Sequence, residues 1–151
     1  MPACCGRLER EDMSKVAVVY WSSTGNTQAM AEAVADGIRS AGGDAELKTA
    51  SEFSADQISN YDAFAFGCPA MGAEVLEEGE FQPMWDSVKG SLSGKKTGLF
   101  GSWGWGGGAW MNDWEADAMG CGVNVVGTVT CNQTPDEAAV AECNDLGKKL
   151  V

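Results

Sequence analysis

A short polar segment, Ser22 to Thr27, combines hydroxyl side chains, a glycine and an asparagine directly after an apolar run. The apolar run, residues 15–21, is rich in β-branched residues and predicts a buried parallel strand. After the polar segment, Met30, Val34 and Ile38 recur at helical spacing and predict a helix. The start of a helix presents unpaired N–H groups and a partial positive charge, so it binds a phosphate without lysine or arginine. The segment therefore predicts a phosphate site, and a polar turn with a helix cap is the alternative interpretation.

The rest of the chain alternates between strand-like and helical patterns. Strands are predicted at 15–21, 45–50, 61–68, 95–102 and 122–131, and helices at 29–43, 53–59, 83–88, 109–119 and from Pro135 onward, with Ser54 as a cap and Pro135 in a first helical turn. This alternation predicts an α/β doubly wound sheet with helices on both faces. Ligands of such sheets bind beyond the carboxyl ends of the strands, where the strand order reverses. The loops after strands one, three and four are therefore expected to carry the chemistry.

Composition excludes several classes of protein. A chain of 151 residues fits one domain, and its net charge of -12 makes nucleic acid and anionic membranes poor partners. The chain has no histidine, which excludes Ser-His-Asp and Cys-His hydrolases and histidine-ligated zinc sites. Its six cysteines form no C-x-x-C pair, so a thioredoxin motif or an iron–sulfur cluster has no support. Scattered cysteines, with no membrane span and no signal-peptide core in the sequence, predict a cytoplasmic protein.

The first twelve residues differ from the remainder of the chain. They are charged, show no periodicity and precede a second methionine, Met13. The sequence therefore predicts an N-terminal extension at 1–12, either disordered or upstream of the true start, followed by a single domain at 13–151.

Three loops of the chain resemble the flavin-binding loops of short-chain, clostridial-type flavodoxins. They are residues 20–27, 67–74 and 99–106, and they follow the first, third and fourth predicted strands in the same order as in that family. The resemblance implies a flavodoxin-like three-layer sandwich with a five-stranded parallel sheet of order 2-1-3-4-5. In such sheets, with flavodoxin itself a standard example, FMN binds between the first and third strands.

The resemblance also implies a function and a set of binding residues. It implies non-covalently bound FMN and a low-potential one-electron carrier that passes through semiquinone and hydroquinone states and turns over no substrate of its own. The FMN-binding residues that it implies are Trp21, Ser22, Ser23, Thr24, Gly25, Asn26, Thr27, Pro69, Ala70, Met71, Gly72, Ala73, Glu74, Ser102, Trp103, Gly104, Trp105 and Gly106.

Individual roles follow from the same resemblance. Trp105 would cover one face of the isoalloxazine ring, and Met71 would pack its polarisable sulfur against the other. The peptide after Gly72 would turn over on one-electron reduction, so that its carbonyl accepts a hydrogen bond from flavin N5. Glu74 would meet the pyrimidine edge of the flavin, with a solvated glutamate as the alternative. For Trp105 the alternative is a core position.

Other residues of these regions are assigned to the core. Trp110 and Trp114 are four residues apart in a predicted helix and share one face, which indicates core packing. Cys68 is interpreted as a small buried residue and not as a reactive thiol.

Acidic residues are concentrated in one stretch of the sequence. Between Lys48 and Lys89 there is no lysine or arginine, whereas eight acids fall there: Glu52, Asp56, Asp62, Glu74, Glu77, Glu78, Glu80 and Asp86. The stretch is either a solvated face or a docking face for basic partners. Redox enzymes such as oxidoreductases, reductases or a hydrogenase would be the partners of a monomeric carrier. The rival functions are a flavin-dependent quinone or NAD(P)H reductase on the same fold, and a binding module that has lost FMN.

Overall fold

The computed structural model describes residues 15–21, 25–69, 79–103, 109–132 and 135–151, and every structural statement below refers to these residues. The strands are β1 (Lys15–Tyr20), β2 (Asp44–Thr49), β3 (Ala63–Gly67), β4 (Lys96–Trp103) and β5 (Asn124–Asn132). The α-helices are α1 (Asn26–Ser40), α2 (Phe81–Val88), α3 (Ala109–Gly120) and α4 (Glu137–Lys149), with short 3₁₀ segments at Ala50–Glu52, Ala55–Asn60 and Lys89–Ser91.

The five strands form one parallel sheet in the order β2-β1-β3-β4-β5. The chain runs outward from β1 to β2 and then returns to place β3 on the other side of β1, so the order reverses between β1 and β3. Tyr20 is in register with Gly67, and Gly67 with Phe100, which aligns the carboxyl ends of β1 and β3 beside β4. The expected fold class and strand order are confirmed.

Both faces of the sheet are buried, which explains the continuous apolar runs in the strands. Alternate residues of β1 point to opposite faces: Ala17 and Val19 join one core cluster, and Val16 and Val18 join the other. Helices α1 and α4 cover the second cluster, and α2 and α3 cover the first. The sheet is therefore the middle of three layers.

The helix α1 follows its sequence pattern closely. Met30, Val34 and Ile38 are fully buried in the cluster beneath it. The helix ends at Ser40, and Gly42 turns the chain with a φ of 92° while its N–H donates to the Arg39 carbonyl. A glycine is favoured at such a position because only glycine adopts a positive φ without strain.

Four helix starts differ from the sequence prediction. Helix α1 begins at Asn26 and not at residue 29, and α2 begins at Phe81 and not at residue 83. Helix α4 begins at Glu137, because the carboxylate of Asp136 accepts a hydrogen bond from the Ala139 N–H at 2.8 Å and caps the helix; Pro135 lies before the cap and not in the first turn. The segment expected as a helix at 53–59 is a 3₁₀ helix, Ala55–Asn60. Ser54 occupies its cap position but makes no side-chain capping bond, because its hydroxyl donates to the Asp56 carboxylate.

Candidate functional site

The carboxyl ends of β1, β3 and β4 meet at the point where the strand order reverses. Of the residues expected to hold a ligand there, the structure describes Trp21, Gly25, Asn26, Thr27, Pro69, Ser102 and Trp103. The others lie outside the described residues and stay predictions: Ser22, Ser23, Thr24, Ala70, Met71, Gly72, Ala73, Glu74, Gly104, Trp105 and Gly106.

The N-terminus of α1 lies directly beyond β1. Gly25 holds the cap position in the left-handed region, with φ 94° and ψ -9°, where a residue with a Cβ is strained. Its carbonyl accepts the first helical hydrogen bond, from Ala29 at 3.0 Å. The first turn has no acidic residue and no side-chain cap, so no acid of the helix itself neutralises the positive end of its dipole.

Thr27 carries a buried polar atom at this helix end. The residue is 1% exposed, and its Oγ1 finds no hydrogen-bond partner among the described residues. A buried hydroxyl without a partner is costly, so such groups in native structures usually serve a ligand or a water. An anion at the start of α1 supplies an acceptor for this hydroxyl.

The donor set fits a phosphate monoester. No lysine or arginine occurs between Lys15 and Arg39, so backbone N–H groups, the helix dipole and the Thr27 hydroxyl would hold the group. The residues present therefore fit the phosphate of a mononucleotide bound at the switch point, which is the FMN position that the sequence predicts.

Trp21 ties the end of β1 to two other segments. Its backbone N–H donates to the Gly67 carbonyl at 3.0 Å, which extends the β1–β3 pairing by one residue. Its indole Nε1 donates to Oε1 of Glu80 at 3.0 Å. Its ring is partly buried and packs against the core cluster beneath α2 and α3. Glu80 was not among the expected site residues. In the sequence, Glu80 stands out only because it belongs to the acidic stretch and directly precedes an apolar helical pattern.

The end of β4 closes the other side of the site. Ser102 is buried and Trp103 is half-buried against the core cluster. Gly101 lets β4 lie close to β3, because a Cβ there would come within 2.1 Å of the Cys68 carbonyl oxygen. Cys68 itself is fully buried, as predicted, and Pro69 is half-buried at the edge of the site.

The core assignment of two tryptophans is confirmed. Trp110 and Trp114 are 1% and 3% exposed on one face of α3. Trp114 makes edge-to-face contacts with Phe81 and Trp85 at centroid distances of 5.4 and 5.8 Å. Neither indole N–H has a hydrogen-bond partner among the described residues, so both rings contribute apolar area alone.

The acids of this stretch that the structure describes lie at different ends of the sheet. Asp62 accepts a hydrogen bond from the Lys15 backbone N–H at the amino end of the sheet, and Asp86 pairs with Lys89 at 3.3 Å. Glu52 and Glu80 lie at the carboxyl end instead, beyond β2 and beside Trp21. Hydrogen bonds from the Thr49 backbone and hydroxyl lower the pKa of Glu52, so it stays ionised at this edge.

Four cysteines lie in the described residues: Cys68, Cys121, Cys131 and Cys143. Burial raises the pKa of Cys131 to about 11, with Asp136 and Glu142 adding to the effect. Burial also raises the pKa of Cys143 to about 12. Both are thiols at neutral pH and are poor nucleophiles in that form.

The described residues contain no candidate metal site and no membrane-spanning helix. No cluster of three or more cysteine and carboxylate side chains there is placed to bind a metal ion. None of the described helices has the length and apolarity that crossing a bilayer requires.

The protein is thus a doubly wound α/β protein, and the helix N-terminus at its switch point has donors that suit a mononucleotide phosphate. Comparison with known proteins gives the family. The family model described as Flavodoxin matches residues 18–147. Curated flavodoxins from Clostridium beijerinckii and Megasphaera elsdenii are 45% and 42% identical over 133 residues, and each match covers 88% of this chain and 96% of the relative.

A solved structure agrees with the sequence matches. The solution structure of two-electron reduced Megasphaera elsdenii flavodoxin superposes with a TM-score of 0.84 at 41% identity, covering 89% of this chain and 97% of that one. The chain belongs to the flavodoxin family. It is an FMN-binding electron carrier that works with redox partner proteins, and the cofactor and function expected from the sequence are confirmed.

The rival reductase function has weaker support. An NAD(P)H dehydrogenase (quinone) from Cupriavidus metallidurans is 32% identical over 115 residues, and the match covers 60% of this chain and 57% of that protein. The similarity is therefore more distant and takes in little more than half of the reductase.

Proposed function

We propose that this chain is a monomeric, cytoplasmic, low-potential carrier that passes single electrons between redox enzymes and turns over no substrate of its own. The observation that carries the proposal is the buried Thr27 hydroxyl, which has no partner among the described residues and lies at a helix N-terminus whose first turn has no acid and no side-chain cap. This arrangement suits the phosphate of a tightly held flavin mononucleotide, and a carrier has to retain its flavin between partners.

The protein's contribution is to hold the flavin and to set its environment. FMN, when bound, supplies the redox chemistry. Gly25, Asn26 and Thr27 would anchor the phosphate, and Trp21, Pro69, Ser102 and Trp103 would border the rest of the molecule. The loops outside the described residues, with Met71, Gly72 and Trp105, would contact the ring. None of these side chains has to act as a base or a nucleophile.

Negative charge would keep the potential low. The fully reduced flavin is anionic, so carboxylates near the site oppose the second electron. One carboxylate at ~12 Å costs about 1.4 kcal/mol at an effective dielectric constant of 20. For a one-electron step this energy corresponds to roughly 59 mV. Acids at the carboxyl edge, such as Glu52 and Glu80, would lower the second potential in this direction, and less so at high salt because they are exposed.

The same charges would select the partners. With a net charge of -12, the chain would associate with redox enzymes that present basic docking faces. Oxidoreductases, reductases and hydrogenases of that kind are the expected classes.

Turnover of reduced nicotinamide tests the proposal against its rival. The FMN-loaded protein is mixed with NADH or NADPH and a soluble quinone, and nicotinamide oxidation is followed at 340 nm. A carrier leaves the nicotinamide unoxidised until a separate reductase is added, and then passes electrons to a one-electron acceptor. Steady oxidation without added reductase would establish a quinone reductase instead.

A further inference from the structure

One hydrogen bond joins segments that are 59 residues apart in the sequence. The indole Nε1 of Trp21 donates to Oε1 of Glu80 at 3.0 Å. Trp21 directly precedes the polar segment Ser22 to Thr27, and Glu80 follows the second flavin loop, residues 67–74, by six positions. The bond therefore joins the entrance of one loop to the exit of another, and the proposed function assigns these two loops to different parts of one cofactor.

The Trp21 side of this bond is held firmly. The backbone N–H donates to Gly67 at the end of β3, and the ring packs against the core cluster. With backbone and ring both held, the indole N–H can point in few directions. The position of Trp21 then determines where the phosphate loop leaves the sheet.

The Glu80 side is held by helix α2. Glu80 is the residue that precedes the helix, and its carbonyl accepts from the Met84 N–H at 3.3 Å. Phe81 and Trp85, which follow on the same helix, are fully buried. Trp85 also donates to Asp117 of α3 at 2.8 Å, so α2 cannot slide freely on the core. The backbone of Glu80 is thus held in place, and its carboxylate can reach Trp21 at the end of β1.

We propose that the Trp21–Glu80 hydrogen bond is a positioning link that sets the phosphate loop against the flavin-ring loop. Through this link, loss of the indole N–H alters both FMN affinity and the one-electron potentials. The proposal rests on the proposed function, since it presumes that FMN occupies the switch point.

The link is a hydrogen bond with one charged partner, and its effect should be moderate. Bonds of this kind are stronger than neutral ones when buried, but exposure to water reduces their net contribution. The Trp21–Glu80 bond lies at an exposed position. We expect its loss to weaken FMN binding about three- to tenfold.

Substitutions of both partners separate the hydrogen bond from the charge. Trp21→Phe keeps an aromatic ring and removes the donor, and Glu80→Gln removes the charge but keeps a carbonyl acceptor. Glu80→Ala removes both the acceptor and the charge. Glu142→Gln, an exposed acid on α4, is the control for loss of one charge elsewhere. Each holoprotein is measured for its FMN dissociation constant, from recovery of flavin fluorescence on dilution, and for its two reduction potentials.

The proposal predicts a specific ranking. Trp21→Phe and Glu80→Ala both raise the dissociation constant, and the double variant raises it by less than the product of the two single effects. Glu80→Gln and Glu142→Gln stay within about twofold of wild type in affinity. The first reduction potential changes in Trp21→Phe, in which no charge has been altered.

A direct readout of the bond accompanies these measurements. The chain has six tryptophans and hence six indole N–H resonances, and the one missing in Trp21→Phe belongs to Trp21. In Glu80→Ala this resonance shifts upfield in the holoprotein, and in Glu80→Gln it shifts less.

Three results would overturn the link. They are losses of FMN affinity that add up in the double variant, an unchanged affinity and potential in Trp21→Phe, or a Trp21 indole resonance that does not shift in Glu80→Ala. A wild-type protein that retains no FMN would be recognised at once. That result would overturn the proposed function, and the link with it. If the wild-type protein retains FMN and the variants bind it equally well, the link is overturned and the proposed function is not.

Discussion

At the scale of the residue, the site is organised by one hydroxyl and one helix end. Thr27 is buried without a partner, and the first turn of α1 carries no acid that could compete with an anion. In the absence of a phosphate, the hydroxyl costs folding free energy because it has left water without gaining an acceptor. Binding and stability therefore oppose each other at this position.

Thr27→Val should reveal this opposition. Valine has nearly the same shape but no hydroxyl, so FMN affinity is expected to fall about three- to tenfold. The stability of the FMN-free protein is expected to stay equal or to rise by up to about 1 kcal/mol. Flavin fluorescence titration and urea unfolding measure the two effects.

Two controls accompany Thr27→Val. Thr27→Ser, which keeps the hydroxyl, should bind FMN nearly as wild type does. Riboflavin, which has no phosphate, should bind the valine variant and wild type equally. If the riboflavin affinity of the valine variant falls as much as its FMN affinity, the Thr27 hydroxyl does not bind the phosphate.

How far the sequence predicts the site depends on how local its contacts are. Thr27 and Gly25 could be placed because a strand pattern, a hydroxyl-rich segment and a helix pattern follow one another directly. Glu80 could not be placed beside Trp21, because that contact depends on how α2 packs and not on any nearby spacing. At the last helix, Pro135 and Asp136 are both start signals, and only the capping bond to Ala139 shows which of them begins it.

At the scale of the element, α2 and α3 are joined through Asp117. Its carboxylate accepts from the Trp85 indole at 2.8 Å and from Lys89 Nζ at 3.1 Å, and Lys89 also pairs with Asp86. Burial acts to raise the pKa of Asp117. The hydrogen bonds from Trp85 and Lys89, together with the lysine charge, outweigh it and hold the pKa below its usual value of 3.8.

Asp117→Ala should loosen these two helices. The Trp85 indole N–H, fully buried, would lose its acceptor, and the free energy of unfolding is expected to fall by about 1–3 kcal/mol. Asp117→Asn keeps an acceptor and loses only a partly exposed ion pair, so its loss is expected below about 1 kcal/mol. Urea unfolding at pH 7 compares the two variants. Equal losses would mean that charge, and not the indole bond, is what matters.

The same carboxylate makes a prediction about pH. Because its folded pKa lies below the unfolded one, its contribution is present above pH ~4 and is lost as pH falls through the lower folded value. The stability difference between wild type and Asp117→Asn should therefore shrink below pH ~4. A difference that stays constant down to pH 2 would contradict the depressed pKa.

Helices α1 and α4 meet through glycines. A Cβ on Gly147 would lie 2.2 Å from the Val34 carbonyl oxygen, a backbone atom that cannot rotate away. Gly147→Ala would gain about 1 kcal/mol in helix propensity but would force the helices apart, and overpacking of this kind costs about 1–3 kcal/mol. A net loss of thermal stability is expected. Gly90→Ala, where a Cβ meets nothing within 4 Å, is the matched control and should not lose stability for this reason.

At the scale of the whole molecule, the net charge is -12. Both signs occur at each end of the sheet: Lys15 and Asp62 lie at the amino end, and Lys48, Glu52 and Glu80 at the carboxyl end. Under the proposed function, a basic partner would therefore be attracted by the net charge of the molecule.

Electron transfer to a basic partner should then depend on salt. With a small cationic haem protein as acceptor, the second-order rate constant is expected to fall about tenfold or more between ~0.01 M and ~0.3 M salt. Stopped-flow absorbance under anaerobic conditions measures it. An uncharged small acceptor should show almost no dependence, and an equal salt effect on both acceptors would argue against steering.

Stepwise anaerobic reduction of the FMN-loaded protein, followed by visible absorption, tests the central claim that the chain carries one electron at a time. We expect two resolved steps. A long-wavelength band of one-electron-reduced flavin rises with the first electron, and this band bleaches with the second. Direct bleaching by two electrons, with no long-wavelength band at any point, would contradict it.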